Sequence, residues 1–500
     1  MVFLSNIRVT YSGLIGLIIG ISTIFTGMIF MLIVTRTLSQ NDFGTWGVIS
    51  GILPFVIIFE QIIPYWVRRE IARGINSAKT AILSSGFLSS SGILIFYMVS
   101  LILSQNSDID QNILLFGIIL VPAIFLNRIL NAINLGWKPE LASYAQLVLS
   151  LSQIPLAFVL ILILKLELLG LILTIFLATL VSISFQIYFA RKKLKNTFQF
   201  KFLKQWLKVF WIPTYPTLIL LISKSDILIF TLITNSVLGI SFWIAALVIT
   251  APISQVGLVS RSVYSKLLST KSVDVGDNLT LVFYFALPFT SLAIVFSRPA
   301  LFALNPLYEF VFLLVVILSI RVFFNTLNDI LESYILGTER VDFDKNSVFK
   351  DFISSKFFSI PSIRFIQYTI YIILLIVGLI ILTSQNASEY SLLIYWALIA
   401  TITALPTTVY LYIQTRKNLH LELDIKSIAK YLITCIFVFS IMFYFSETYL
   451  VYDENLMEFL PGFLLYLPIG IISYLVITYF IDKRIKFLVH AIINEIKISK

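Results

Sequence analysis

Cysteine occurs once in this 500-residue sequence and histidine twice. That scarcity excludes a disulfide framework and leaves no Cys/His cluster to hold zinc. Cys435 lies inside an apolar run and reads as packing, while His420 and His490 fall in charged, solvated segments. Charge is scarce too. Only 12% of residues are Asp, Glu, Lys or Arg against 59% hydrophobic, and the mean hydropathy is +0.96, whereas soluble domains carry charge on about a quarter of their residues. A water-soluble globular domain is excluded, and short loops leave no room for one between the apolar runs.

What the chain has in abundance is apolar runs of about 20 residues, the length that crosses roughly 30 Å of hydrocarbon as a helix. Fourteen recur, near 12–34, 43–66, 81–103, 112–134, 141–165, 168–190, 209–234, 238–260, 279–297, 307–336, 363–383, 389–412, 429–449 and 459–482. The first ends in VTRTLSQ without a small-residue cleavage site, so it reads as a span and not as a removed signal peptide. Of the 36 Lys and Arg, three fall in outer loops (Arg36, Lys165, Arg298) and three within spans (Arg128, Lys224, Arg321) if both termini are cytoplasmic. All the others then lie in cytoplasmic segments, the bias that the positive-inside rule demands. A multi-pass protein of the cell membrane with both ends in the cytoplasm is expected. The net charge of +10 is explained by an anionic inner leaflet, and no nucleic acid is needed. The cytoplasmic stretch RKKLKNTFQFKFLKQWLK (191–208) interleaves aromatic and apolar residues with lysines, as suits a helix lying on the membrane surface; the tail 485–500 reads similarly.

Two faint internal matches indicate duplication. LSQNDFG (38–44), between the first two spans, matches ITNSVLG (233–239), between the seventh and eighth; LNRILNAINLG (126–136), ending the fourth, matches LNDILESYILG (327–337), ending the tenth. Both offsets cover six helices, which implies two six-helix halves of like orientation. The expected division is 1–208, 209–427, and 428–500 for two further helices and a tail.

Charges inside the spans carry the functional signal. Lys224 and Asp226 sit in LISKSDILIFTLI (221–233), where each costs about 2.5 to 3.5 kcal/mol at a helix centre unless relieved. Two residues apart on a helix, they point to nearly opposite sides and cannot satisfy each other. In the tenth span Arg321, Asn325, Asn328 and Glu332 form a polar stripe with Asp329 beside it; in the fourth, Asn127, Asn131 and Asn134 do so with Arg128 adjacent, and Glu60 lies in the second. By the repeat, Arg128 stands where the other half has Asp329, so a buried pair holding the halves in register is one reading. The other is a polar cavity in which the cations bind an anion such as phosphate and the carboxylates bind H⁺ or Na⁺.

At TRTLSQNDFGTWGVIS (35–50) and SKSDILIFTLITNSVLG (223–239) the chain resembles the polysaccharide-biosynthesis flippases of the multidrug/oligosaccharidyl-lipid/polysaccharide exporter superfamily. Arg36, Leu38, Phe43 and Gly44 match an Arg-x-Leu-x4-[Phe/Tyr]-Gly segment, and Asp226 and Gly239 match an aspartate, apolar run and glycine of the seventh helix. The resemblance implies an all-α polytopic membrane protein of about 14 helices, with two pseudo-symmetric six-helix lobes in a V-shaped, MATE-like arrangement plus two C-terminal helices. It implies a non-enzymatic, cofactor-free flippase that moves a polyprenyl- or dolichyl-(di)phosphate-linked oligosaccharide to the outer leaflet by alternating access. Lys224, Arg128, Arg321 and Arg36 would meet the phosphates, while Asp226, Glu60, Asp329, Glu332, Asn325, Asn328, Asn127 and Asn131 would line the cavity or couple an ion. Its partners would be membrane lipids, the coupling ion and glycan-assembly proteins. Two alternatives stand beside it: a MATE-type exporter of cations or drugs, and a membrane glycosyltransferase or polymerase. The second would need metal ligands, for which DID (108–110) in a short loop is the one candidate.

Overall fold

A computed structural model describes residues 20, 22–58, 60–105, 109–208, 210–260, 267, 275–339, 349–419, 421–487 and 490. The opening of the first apolar run, Asp108 and nearly all of the 488–500 tail lie outside the described residues. Within them every regular element is helical. In hydrocarbon each backbone N–H and C=O needs a partner from its own segment, and a long apolar run meets that demand by coiling.

Twelve helices among the described residues are long and apolar enough to span a membrane, from Ala78–Gln105 to Leu456–Ile481. They follow in order the last twelve apolar runs of the sequence. Their outward faces remain apolar, with Met457, Phe480, Ile433 and Phe87 among the exposed side chains, a surface that costs nothing against lipid tails and a great deal against water. The chain is a multi-pass membrane protein.

Of the first run the described residues include the apolar helix Ser22–Thr37, and the second differs from expectation. The second, expected as one span over 43–66, is two helices, Gln40–Val56 and Ile62–Ala72, separated by a break that contains Glu60. Pro54 lacks the amide that would continue the first helix's bonding, whereas Pro64 falls in the first turn of the next, where no donor is required.

The chain divides into two compact units, Met1–Ile244 with Pro361–Trp396, and Ala245–Ile360 with Ala397–Lys500. In the first, helices Ile62–Ala72, Ala78–Gln105, Leu120–Trp137 and Glu167–Ala190 close over Val67, Ala81, Ile129 and Ile133. In the second, Val275–Val295, Phe312–Gly337 and Ala404–Leu419 close over Val282, Ala286, Leu331 and Leu411. The last two helices, Ile425–Tyr449 and Leu456–Ile481, belong to this second unit. Tyr474 Oη donates to the carbonyl of Tyr284 at 2.9 Å, and Tyr431 Oη to Asp482 Oδ2 at 2.7 Å.

Asp424 caps the helix Ile425–Tyr449: its carboxylate accepts from the Ser427 amide (3.1 Å) and hydroxyl (2.9 Å). These bonds, followed by the Arg484 guanidinium, hold its carboxyl below the usual carboxylate value. A carboxyl depressed in the folded state stabilises above its unfolded pKa of about 4 and loses that contribution as pH falls through the folded value. Asp424→Asn should flatten the acid limb of the thermal-stability profile in detergent; an unchanged limb would assign the loss to other carboxyls.

Glycines mark a close helix approach in the second run. A Cβ on Gly44 would overlap the carbonyl oxygen of Val237, and one on Gly47 the Ile244 side chain. The helix Gln40–Val56 thus lies directly on the segment joining Asp226–Thr234 to Leu238–Gln255, so the two copies of the repeated turn touch each other. Gly44→Ala must displace backbone, and a loss of about 1–3 kcal/mol is expected. Gly86→Ala, which meets open space, is the control in a thermal-unfolding comparison.

Candidate functional site

Lys224 and Asp226 do not share one continuous helix in the seventh span. The helix is interrupted between them: Trp211–Lys224 ends, Ser225 forms a turn, and Asp226–Thr234 begins. Asp226 is 6% exposed. Its Oδ2 accepts from Tyr371 Oη at 2.9 Å, Tyr371 in turn accepts from Trp396 Nε1 at 2.6 Å, and its Oδ1 takes the Ile227 amide at 2.9 Å. Trp396 stacks on Trp243 with centroids 3.7 Å apart and on Phe230 at 5.0 Å. A carboxylate so enclosed is relieved by donors rather than by water, and the aromatic plates fix those donors in place.

Lys224 is exposed, and no hydrogen bond or ion pair engages it among the described residues. Across this turn one group is exposed and the other buried.

Glu60 and Arg128 form an ion pair in the first unit. Arg128 Nε lies 3.0 Å from Glu60 Oε2; the glutamate side chain is fully buried and the arginine 32% exposed. Glu60 Oε1 has no hydrogen-bond donor among the described residues. Within the first unit the carboxylate that Arg128 meets is therefore Glu60; Asp329, its equivalent by the repeat, belongs to the second unit. Equivalence of position in a duplicated sequence gives symmetry, while contact depends on packing, here of Ile62–Ala72 against Leu120–Trp137. Where the break at 57–61 delivers Glu60 could not be read from the composition of the run.

The asparagines of the fourth span are half-buried or buried. Asn127 Oδ1 accepts from Gln186 Nε2 at 2.6 Å and from Ser182 Oγ at 3.3 Å, which ties Leu120–Trp137 to Glu167–Ala190. Asn134 Oδ1 accepts from Trp137 Nε1 at 3.2 Å, and Asn131 is half-buried. Arg36 is half-buried and has interactions of its own.

In the second unit the polar stripe is present on Phe312–Gly337. Arg321, Asn325 and Glu332 are half-buried, Asp329 is exposed, and Asn328 is fully buried with neither amide atom hydrogen-bonded among the described residues. Asp329 and Glu332, with Ser333 and Leu336, line an open cleft of about 350 Å³. Among the described residues no three Asp, Glu, His or Cys side chains converge to hold a metal.

Sequence reasoning missed Tyr371, Trp396, Gln186 and Glu389. Glu389 Oε1 accepts from the Gly239 amide (2.6 Å) and Ser236 Oγ (2.9 Å), capping the start of Leu238–Gln255. Each missed residue is the distant partner of a group that was seen. The available signal was only that a polar group in a span requires one.

No protein-family model and no curated protein matches the sequence. Solved structures do match the fold. The lipid II flippase MurJ in an inward closed conformation superposes with TM-score 0.65 at 14% identity, covering 94% of this chain and 98% of its own. An inward-facing multidrug-resistance MATE family transporter of the MOP superfamily gives 0.59 at 12%, covering 81% and 98%. A MOP superfamily transporter from Pyrococcus furiosus, described as having a binding pocket of reverse polarity, gives 0.52 at 12%, covering 82% and 95%. The chain has the fold these MOP superfamily transporters share.

Proposed function

We propose that this chain is a flippase for a polyprenyl- or dolichyl-(di)phosphate-linked oligosaccharide, carried from the cytoplasmic to the outer leaflet by alternating access. The observation that carries the reading is Lys224, an exposed ammonium in the seventh span of a MOP-type fold that no hydrogen bond or ion pair engages among the described residues. An unrelieved cation at membrane depth is a functional group by default, and a lipid phosphate is the anion that a membrane presents to it. Coverage adds support: the MurJ flippase structure extends over 94% of this chain, the MATE structures over about four-fifths. Arg36, Arg128 and Arg321 would share the phosphate with Lys224 at successive stages. Asp226, held by Tyr371, would take up H⁺ or Na⁺ and trade the tyrosine's hydrogen bond for the ion. Both termini would be cytoplasmic, with basic loops facing the anionic leaflet.

One observation favours a second reading, export of a cation: the Asp329 and Glu332 cleft is acidic. Binding to the purified protein in nanodiscs separates the two. A prenyl-pyrophosphate sugar should bind more tightly than tetraphenylphosphonium, and the reverse order would favour the cation exporter. Asp226→Asn should lower translocation driven by an imposed ion gradient while leaving binding without a gradient intact; equal translocation with and without the gradient would remove Asp226 from coupling.

A further inference from the structure

The helix Phe200–Lys208 is fastened to the first unit at both ends. Trp206 is buried in that unit's core and donates Nε1 to Glu70 Oε1 at 3.0 Å. The loop before the helix is tied to the segment at Asn76–Thr80. Asn76 Nδ2 donates to the Lys193 carbonyl (3.0 Å), Asn196 Nδ2 to the Asn76 carbonyl (2.6 Å), and the Gln199 amide to Thr80 Oγ1 (2.9 Å). So held, the helix stands beside Ala78–Gln105 across a crevice of about 240 Å³ whose walls include Ile62, Leu83, Phe87, Phe198, Leu203 and Leu207. Ser84 supplies its one hydroxyl, which has no partner among the described residues. The crevice is not enclosed: Phe87 (79%) and Leu83 (52%) on its wall are exposed, and exposed Lys201, Lys204 and Lys208 lie on the same short helix.

We propose that this crevice binds an anionic membrane phospholipid, with part of one acyl chain between the helices and the phosphate against the lysines. The occupant follows from two physical facts. In a membrane protein the crevice's open side meets lipid, so hydrocarbon is what fills it, and moving an acyl chain there from the bilayer yields little free energy of its own. Selectivity must then come from the head group, and three lysines on an amphipathic helix select negative charge. The site is separate from Lys224 and does not depend on which cargo the chain carries. Its lipid is a resident that holds Phe200–Lys208 at the bilayer surface.

The test uses the full-length protein in nanodiscs containing brominated phosphatidylglycerol or brominated phosphatidylcholine with matched chains. The contribution of Trp206 is read as wild type minus Trp206→Phe, which separates it from the other six of the 7 tryptophans. Brominated phosphatidylglycerol should quench Trp206 more strongly than the choline lipid. Replacing Lys201, Lys204 and Lys208 together by Gln should remove that preference, each lysine near an anionic head group contributing about fivefold. Ser84→Phe, which fills the crevice, should reduce quenching by both lipids. Equal quenching by the two lipids in the wild type would overturn the proposal, as would full quenching in Ser84→Phe. Should Trp206→Phe fail to fold, native mass spectrometry of the wild type and the triple Gln variant in an equimolar lipid mixture decides it. Retained phosphatidylglycerol on the wild type alone supports the site, and equal retention on both variants refutes it.

Discussion

Lys224→Ala should lose translocation of a prenyl-pyrophosphate sugar while the protein inserts and folds as before. The side chain is exposed and engages no group among the described residues, so its removal breaks no internal contact. At membrane depth it also removes a cost of about 2.5–3.5 kcal/mol on the insertion scale, and the thermal unfolding temperature should stay level or rise. A charge-assisted hydrogen bond to phosphate contributes about 1.5–3 kcal/mol, so affinity for the phosphate-bearing lipid should fall between roughly tenfold and 150-fold. Lys224→Arg should keep most of the binding and Lys224→Gln little of it, because charge is the property in question. Lys165→Ala, in a loop near the fifth span, serves as the neutral control. Measured translocation in proteoliposomes equal to wild type would take Lys224 out of the mechanism and the flippase proposal with it.

Arg128→Ala should be the most destabilising charge deletion in the first unit. It strands the carboxylate of Glu60, which is fully buried and has no other donor among the described residues, and deleting one partner of a buried pair costs about 3–5 kcal/mol. The opposite deletion should be milder. Glu60→Ala leaves Arg128, a third exposed, able to reach water or lipid head groups, and about 1 kcal/mol is expected, as for a partly solvated pair. The double variant Glu60→Gln with Arg128→Gln should recover most of the loss, since no buried charge remains. A thermal-unfolding cycle in detergent measures all three. If the single deletions cost the same and the double adds them, the pair is not coupled. The double variant also separates two roles for Arg128: folded protein with wild-type binding of the lipid-linked phosphate would make the arginine structural, and folded protein with weakened binding would give it contact with cargo.

The contrast between these two cations shows what could be read without coordinates. For Lys224 and Asp226 the spacing showed that the two could not satisfy each other on one helix, and the structure, which breaks that helix at Ser225, has one exposed and the other buried with Tyr371. For Arg128 the spacing pointed through the repeat to Asp329 and gave no sign of Glu60, with which it forms an ion pair inside its own unit. The position of Glu60 is set by a helix break following Pro54, a local feature whose effect is expressed several residues away. Asn127 likewise read as a cavity residue and proves to be bonded to Gln186 and Ser182. A polar side chain in an apolar span announces that it needs a partner, and the sequence does not say which.

Hydrophobic length determined most of the fold from the sequence alone. Without water no other backbone partner exists, so a run of 20 apolar residues has one solution, and the twelve long helices fall where those runs lie. The repeated glycines were also legible, as a motif whose close approach the packing of Gly44 on Val237 explains. Tertiary structure alone decided which charges are neutralised and which remain exposed. It also decided that a surface helix stands off from its neighbours across a crevice. Those outcomes depend on side chains from helices distant in sequence meeting at distances near 3 Å, and periodicity within one helix contains no information about the next.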